Sequence, residues 1–340
     1  MRATIRSYPY LPFFVVALLL PLFELLLPGG VRFADALQPI FIFAILALGL
    51  NIVTGYTGML HLGVAGFMAI GAYAYAILTC DIYPFQLSFF PALLAAMGAG
   101  AIWGVVLGLP TMRLSGDYLA IVTLGFGEIV QNLFRNLDTI TKGTQGINPL
   151  PPPKLFGYAF DSAFYYPWYY LFLALLLVVV ILSFNLERSR IGRAWLAVRE
   201  DELASACMGI PVSRLKTVAL AIGSAFSAMG GALWVCYLGS SGEPGNYDFQ
   251  ISIIALCIII LGGMGSIHGV LIGAVVMIGF NSVLLVKAAD YLMRQGFIST
   301  ESVMLAPNNW KYMIFGFALI LTMRFKPDGL FPKVGQGEKR

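Results

Sequence analysis

Charge is scarce: Asp, Glu, Lys and Arg make up 11% of the 340 residues, where an ordinary soluble domain has about a quarter. So little charge cannot dress a water-facing surface, which excludes a soluble fold. Cysteine is equally thin. Cys80, Cys207, Cys236 and Cys257 are scattered without Cys-x-x-Cys spacing, which excludes a disulfide frame and a zinc site and leaves them as buried small apolar residues. The two histidines, His61 and His268, stand alone and read as hydrogen-bonded residues at span ends, so no metal site is expected. A net charge of +4 is too small to attract nucleic acid. No Gly-x-x-x-x-Gly-Lys-Ser/Thr loop, His-Glu-x-x-His or Gly-x-Ser-x-Gly occurs, so the chain is expected to hold no cofactor and no catalytic group, and an enzyme is the weaker class.

What is present is apolar: 59% of the residues are hydrophobic and the mean hydropathy is +0.83. Stretches near twenty residues, each able to cross about 30 Å of hydrocarbon, recur at approximately 8–27, 36–54, 58–80, 87–109, 117–135, 166–186, 215–239, 248–265, 269–289 and 307–324. The expected fold is therefore an all-α polytopic membrane protein of about ten spans, forming one domain over 1–340. Arg2, Arg6 and the Ala34-Asp35-Ala36 triplet imitate a signal peptide, but the first apolar run is too long for one and reads as an uncleaved span.

Alternating the spans puts Arg2, Arg6, Arg113, Arg188, Arg190, Arg193, Arg199, Arg214, Lys216, Arg324, Lys326, Lys333, Lys339 and Arg340 on one side. The other side receives half as many: Arg32, Arg135, Lys142, Lys154, Lys287, Arg294 and Lys311. The richer side is the cytoplasm by the positive-inside rule, and both termini fall there.

Two longer loops remain. Residues 136–165 hold Gly143, Gly146 and Pro151-Pro152-Pro153, so this external segment cannot be helical through its middle and reads as a lid or docking loop. Residues 187–214 carry most of the internal charge. From Arg193 to Gly209 no Pro or Gly intervenes, which predicts one amphipathic helix with Trp195, Leu196, Val198, Leu203 and Cys207 on one side, stopped by Gly209 and Pro211.

Glycines recur at four-residue spacing in Gly100, Gly104 and Gly108 and again in Gly265, Gly269 and Gly273, where helices can approach closely. Glu128 lies eleven residues into its span, about 16 Å deep, where an ionised group costs about 2.5–3.5 kcal/mol unless paired or wetted. With Thr123, Gly125 and Gly127 it marks either a substrate pathway or gate, or a hydrogen-bonded strut between helices.

The run Arg113-Leu114-Ser115-Gly116-Asp117-Tyr118-Leu119 through Leu124-Gly125-Phe126-Gly127-Glu128-Ile129 resembles the permease subunits of branched-chain amino acid ABC importers, in the larger subtype of the pair. Matching pieces follow in the family's order at Leu62-Gly63 through Ala69-Ile70-Gly71-Ala72-Tyr73, at Gly192-Arg193-Ala194-Trp195 with Arg199-Glu200-Asp201-Glu202, at Leu261-Gly262-Gly263-Met264-Gly265-Ser266, and at Pro327-Asp328-Gly329-Leu330. The likeness covers about 38–332. It implies a passive pathway subunit that pairs with a second homologous permease, sits on two cytoplasmic ATPases that bind the ATP and magnesium, and receives cargo from an extracytoplasmic binding protein. The expected home is a bacterial or archaeal cytoplasmic membrane, and the expected cargo is leucine, isoleucine and valine.

The resemblance also gives loop 187–214 a role. Glu202, Ala204 and Gly209 resemble the Glu-Ala-Ala…Gly element by which importer permeases dock into an ATPase groove, and Arg193, Trp195, Arg199, Glu200 and Asp201 belong to the same expected coupling surface. Two departures bear on cargo. Many relatives read Ser-Leu-Gly-His where this chain has His61-Leu62-Gly63-Val64, and Thr-Gly-Gly-Pro-Asn-Gly where it has Thr141-Lys142-Gly143-Thr144-Gln145-Gly146. Urea and short-amide importers share the architecture and are the rival reading; an ion-coupled carrier with Glu128 as proton site is the rival from another class.

Overall fold

The computed structural model describes residues 13–14, 17–21, 33–112, 114, 116–152, 154–155, 158–159, 165–280, 307–326 and 329–331. Most of the first expected span, the far end of the ninth and both termini lie outside the described residues, as do Arg2, Arg6, Arg32, Arg113, Pro153, Lys287, Arg294, Pro327, Asp328, Lys333, Lys339 and Arg340.

The helices follow the apolar runs. They are α1 (Phe33–Leu50), continued by a π-helical stretch (Asn51–Tyr56), α2 (Val64–Thr79), α3 (Phe89–Thr111), α4 (Asp117–Asn136) and the single turn α5 (Asp138–Thr141). Then come α6 (Tyr165–Arg188), α7 (Arg190–Glu200), α8 (Glu202–Cys207), α9 (Val212–Leu238), α10 (Phe249–Gly262), α11 (Ile267–Gly279) and α12 (Pro307–Phe325). Among the described residues, strands are confined to an antiparallel pair of two residues each, β1 (Lys154–Leu155) with β2 (Tyr158–Ala159), in the loop before α6. The fold is all-α and the chain is a multi-pass membrane protein.

Five described segments are long and apolar enough to cross a membrane: Leu37–Tyr56, Phe89–Thr111, Tyr166–Arg188, Val212–Leu238 and Pro244–Gly262. Shorter apolar helices occupy Val64–Thr79, Ile267–Gly279 and Met313–Phe325. The expected span at 58–80 loses its first turns for a physical reason. Gly58 takes φ 73°, which ends the preceding helix, and the following amides find side chains instead of helical carbonyls: Leu62 N donates to Thr123 Oγ1 at 3.0 Å and Ala65 N to Ser252 Oγ at 3.0 Å. What remains of α2 is 16 residues, about 24 Å.

Helix α9 is the axis of the bundle, packed on α1, α2 and α3. Between helices in lipid no hydrophobic force operates, so contact area decides, and α9 offers Gly223, Ser224, Ser227, Ala228, Gly230 and Gly231 to its neighbours. Methyl groups on Gly71 and Gly231 would overlap the carbonyls of Ala228 and Met68, so α2 and α9 meet backbone to backbone. Gly100 and Gly104 of α3 face Ala228 and Ser224 of α9 with no room for a side chain, and Gly108 faces Thr217 with slightly more. Gly269 and Gly273 press against the carbonyls of Gly262 and Ile258, joining α11 to α10. Gly265 instead lies in the break between these helices, at φ 86°. The C-terminal carbonyls of α10 are satisfied from afar: Leu330 N donates to Leu261 O at 2.8 Å and Phe331 N to Gly262 O at 3.0 Å.

Candidate functional site

Segment 187–214 forms a compact unit at one end of the bundle. Ser189 ends α6 and starts α7, its hydroxyl donating to Leu186 O at 2.7 Å and accepting from Gly192 N at 3.1 Å. The turn is tight enough that a Cβ on Gly192 would strike the carbonyls of Leu186 and Glu187. Arg193 is exposed and turns back to Arg188 O at 2.9 Å. Trp195 is fully buried, donates from Nε1 to Leu215 O at 2.9 Å and lies parallel to Tyr56 at 6.5 Å between ring centres.

The single helix expected over Arg193–Gly209 is two. Asp201 sits at φ −154°, ψ 111° between them, because its carboxylate is better used capping α8, where Oδ1 accepts from Ala204 N at 2.9 Å. The break also divides the expected apolar stripe. Trp195 and Val198 face inward with 0% and 4% exposure, whereas Leu203 and Met208 are 76% and 82% exposed, beside an exposed Cys207. Gly209 N then donates to Ala206 O at 3.0 Å and Ile210 N to Ser205 O at 3.1 Å, with Gly209 at φ 81°. This is a Schellman stop, and it needs a left-handed residue at that position.

Two polar contacts tie this unit to the bundle. Glu202 Oε2 accepts from Lys216 Nζ at 2.6 Å; Lys216, in the first turns of α9, is 5% exposed. Arg199 Nη1 donates to Gly55 O, the end of the π-helical stretch, at 2.5 Å. Burial pulls the Arg199 guanidinium below its usual pKa, and Glu200 beside it opposes the shift. Of the eight residues expected on a coupling surface, Glu200, Asp201, Glu202, Ala204 and Gly209 are exposed with Arg193, while Trp195 and Arg199 point into the protein. Sequence reasoning passed over Met208 and Gly55. A buried lysine one turn into a span was the visible signal for Lys216.

The four residues expected to mark a pathway occupy different faces of α4. Thr123 is fully buried, donating to Ala120 O and accepting from Leu62 N, each at 3.0 Å. Gly127 faces Gly63 and Gly66 of the α2 start at van der Waals distance. Gly125 has open space, and Glu128 is exposed on the side that faces away from the bundle. That side is largely apolar, with Tyr118, Ile121, Ile129 and Leu133 exposed at 48–72% and Asn132 an exposed polar neighbour. Asn132 Nδ2 donates to Glu128 O at 2.9 Å, and Gln131, on the inner side, donates to Gly245 O at 3.1 Å. His61, read as an interfacial hydrogen-bonding residue, is buried against Phe67, and its Nδ1 has no partner among the described residues.

At the opposite end the 136–165 loop closes on the loop after α9. Ile147 N donates to Ser241 Oγ at 2.7 Å, Ser241 N to Ile147 O at 3.2 Å and Leu150 N to Gly239 O at 3.1 Å. Tyr73 and Tyr247 add hydroxyl bonds to Gly242 O at 3.1 Å and Ser241 O at 2.8 Å, and Tyr83 bonds Ile140 O.

The family model described as the branched-chain amino acid transport system permease component matches residues 33–323. The high-affinity branched-chain amino acid transport system permease protein LivM of Salmonella typhimurium is 38% identical over 86% of this chain and 68% of its own length. A probable LivM of Methanocaldococcus jannaschii is 26% identical over 71% of this chain and 68% of its own length. The high-affinity branched-chain amino acid transport system permease protein LivH of Salmonella typhimurium is 24% identical over 85% of this chain and 90% of its own length. No solved structure matches the chain. The match takes in α1 through all but the last turn of α12, with the α7–α8 unit and both helix interruptions inside it, so the chain belongs to the branched-chain amino acid transport permease family, a family of transport proteins and not of enzymes.

Proposed function

We propose that this chain is one of two membrane subunits of a binding-protein-dependent ABC importer that carries leucine, isoleucine and valine into the cytoplasm. ATP and magnesium belong to two separate ATPase subunits, and a second, homologous permease completes the pathway. The resemblance to both LivM and LivH supports the pairing, since two related permeases are named as parts of such systems. The observation that carries the reading is α8: a short helix, stopped by a Schellman turn, that holds Leu203 and Met208 out from the bundle where no described segment of this chain covers them. An apolar knob ringed by Glu200, Asp201 and Glu202 suits a groove in a partner protein.

In this reading the α7–α8 end faces the cytoplasm, both termini lie there, and the 136–165 loop meets the binding protein outside. Glu128 gains a place as well. A carboxylate on an outward, apolar helix face is costly against lipid, so that face of α4 lies against the second permease, where a shared aqueous pathway solvates it. The test is radiolabelled leucine uptake into vesicles containing the assembled importer and its binding protein, with ATP and the proton gradient varied separately. Uptake should follow ATP and be competed by isoleucine and valine but not by urea. Uptake that follows the gradient and ignores ATP would overturn the assignment.

A further inference from the structure

Two interrupted segments meet beneath α7. The first interruption follows the π-helical stretch that ends at Tyr56, with Gly58 exposed at φ 73°; the second separates α10 from α11, with Gly263 and Gly265 at φ 121° and 86°. Asn51 Oδ1 accepts from Gly265 N at 2.8 Å, both groups buried, so the two interruptions are fastened to each other. Gly55 fits only because it has no side chain: a Cβ there would collide with Asn51 and come within 2.7 Å of Gly265 N.

Arg199 closes this junction from the α7 side. Its Nη1 reaches Gly55 O at 2.5 Å, an orphan carbonyl at the end of the π-helical stretch. The same Nη1 lies 3.1 Å from where a Cβ on Gly265 would stand, and the Arg199 Cγ lies 3.1 Å from the corresponding point on Gly58. One arginine thus lies against both interruptions, its aliphatic stem at Gly58 and its guanidinium at Gly55 and Gly265. π-Helical turns are rare and frequently lie at functional sites, and a charge-assisted hydrogen bond is among the stronger polar contacts that can hold one in place.

We propose that Arg199 is a positioning residue that makes the α7–α8 unit and the two interrupted segments move as one body, so that displacement of α8 by an ATPase reaches the spans directly through this contact. It does not itself touch the ATPase. The inference rests on the transport reading above and deepens it: Leu203 and Met208 receive the motion, and Arg199 delivers it to the junction of Asn51, Gly55 and Gly265.

A disulfide can replace the hydrogen bond. A Cβ on Gly58 would lie 3.7 Å from that of Arg199, inside the range a disulfide requires, and Gly58 is open to an oxidant. The experiment uses the full importer in proteoliposomes with binding protein, radiolabelled leucine and ATP, and reads uptake and ATP hydrolysis side by side. Arg199→Cys should assemble in normal yield and keep hydrolysing ATP, while leucine moved per ATP falls at least about ten-fold. Gly58→Cys/Arg199→Cys should behave likewise when reduced and recover most of the lost coupling when oxidised, with the cross-link verified by mass spectrometry. Each single variant, oxidised in parallel, reports the strain at position 58 and any effect of the native cysteines.

Wild-type coupling in Arg199→Cys would overturn the proposal, as would an oxidised double variant that transports less than the reduced one, because the contact would then have to open in each cycle. Parallel loss of assembly, hydrolysis and uptake that oxidation does not restore would also overturn it, leaving Arg199 a folding residue. A wild-type importer without ATP-driven leucine uptake would overturn both this inference and the transport reading. Wild-type uptake with an inert Arg199 overturns the inference alone.

Discussion

The two ends of the bundle are held together by different means. At the end that carries the 136–165 loop, backbone groups of Ile147 and Leu150 pair with Ser241 and Gly239, and three tyrosines brace the result through their hydroxyls. At the α7–α8 end a whole helical unit is fixed by a few discrete anchors: the Trp195 ring, the Arg199 bond to Gly55 and the Glu202–Lys216 pair. A distributed ladder tolerates the loss of one bond and moves little. A unit on three anchors can move as one rigid piece, which suits the docking role proposed for that end.

The comparison breaks most severely at Trp195. It is a fully buried anchor, and Trp195→Ala should cost about 3–5 kcal/mol and release α7 from the bundle, seen as lost complex yield and rapid proteolysis between residues 188 and 212. Normal protease resistance would show that the polar anchors suffice alone.

Next comes Glu202→Gln, which leaves the Lys216 ammonium buried without a counter-charge. Because the Glu202 side chain is 51% exposed and water can partly replace it, the expected loss is about 1–2 kcal/mol in thermal unfolding. The double variant Glu202→Gln/Lys216→Met should regain most of that loss, and failure to do so would mean that the pair is not an anchor.

Ser241→Ala at the other end should cost less, about 1 kcal/mol, since two backbone bonds of the same ladder remain. Hydrogen exchange checks this: the Ile147 amide should exchange faster while Leu150 stays protected. Exchange of the whole 137–152 segment at once would show a cooperative lid and would erase the contrast between the ends.

Smallest of all should be Glu128→Gln. The amide keeps the size and much of the hydrogen bonding, and in the proposed ATP-driven importer this residue has no proton to carry, so ATP-dependent leucine uptake should stay within about two-fold of wild type. Glu128→Leu should lose more. Equal, undiminished uptake in both variants would remove Glu128 from the pathway.

Much of this was legible in the sequence because membranes impose length and composition. Apolar runs marked the helices, scarce charge excluded water as the main solvent, and the ordered motifs from Leu62 to Leu330 carried the family. The 187–214 loop could be located from its charge alone. Which of its residues face out could not, because that depends on one dihedral choice at Asp201, where side-chain capping competes with helix continuation and wins.

Residue-level roles at the sites needed the tertiary structure for a similar reason. Thr123, Gly125, Gly127 and Glu128 are neighbours in sequence, yet a helix turns each to a different direction, and only the position of α2 and α10 decides that Thr123 is a cap and Glu128 an outward group. Asn51, Gly55, Arg199 and Gly265 span more than two hundred positions and match no local pattern. The sequence by itself determined an all-α membrane bundle and its family, since hydropathy and motif are local properties of the chain. The tertiary structure alone decided the junction at Arg199 and the division between buried anchors and exposed residues in segment 187–214, because those depend on which distant carbonyls and helix breaks the packing of α9 brings within reach.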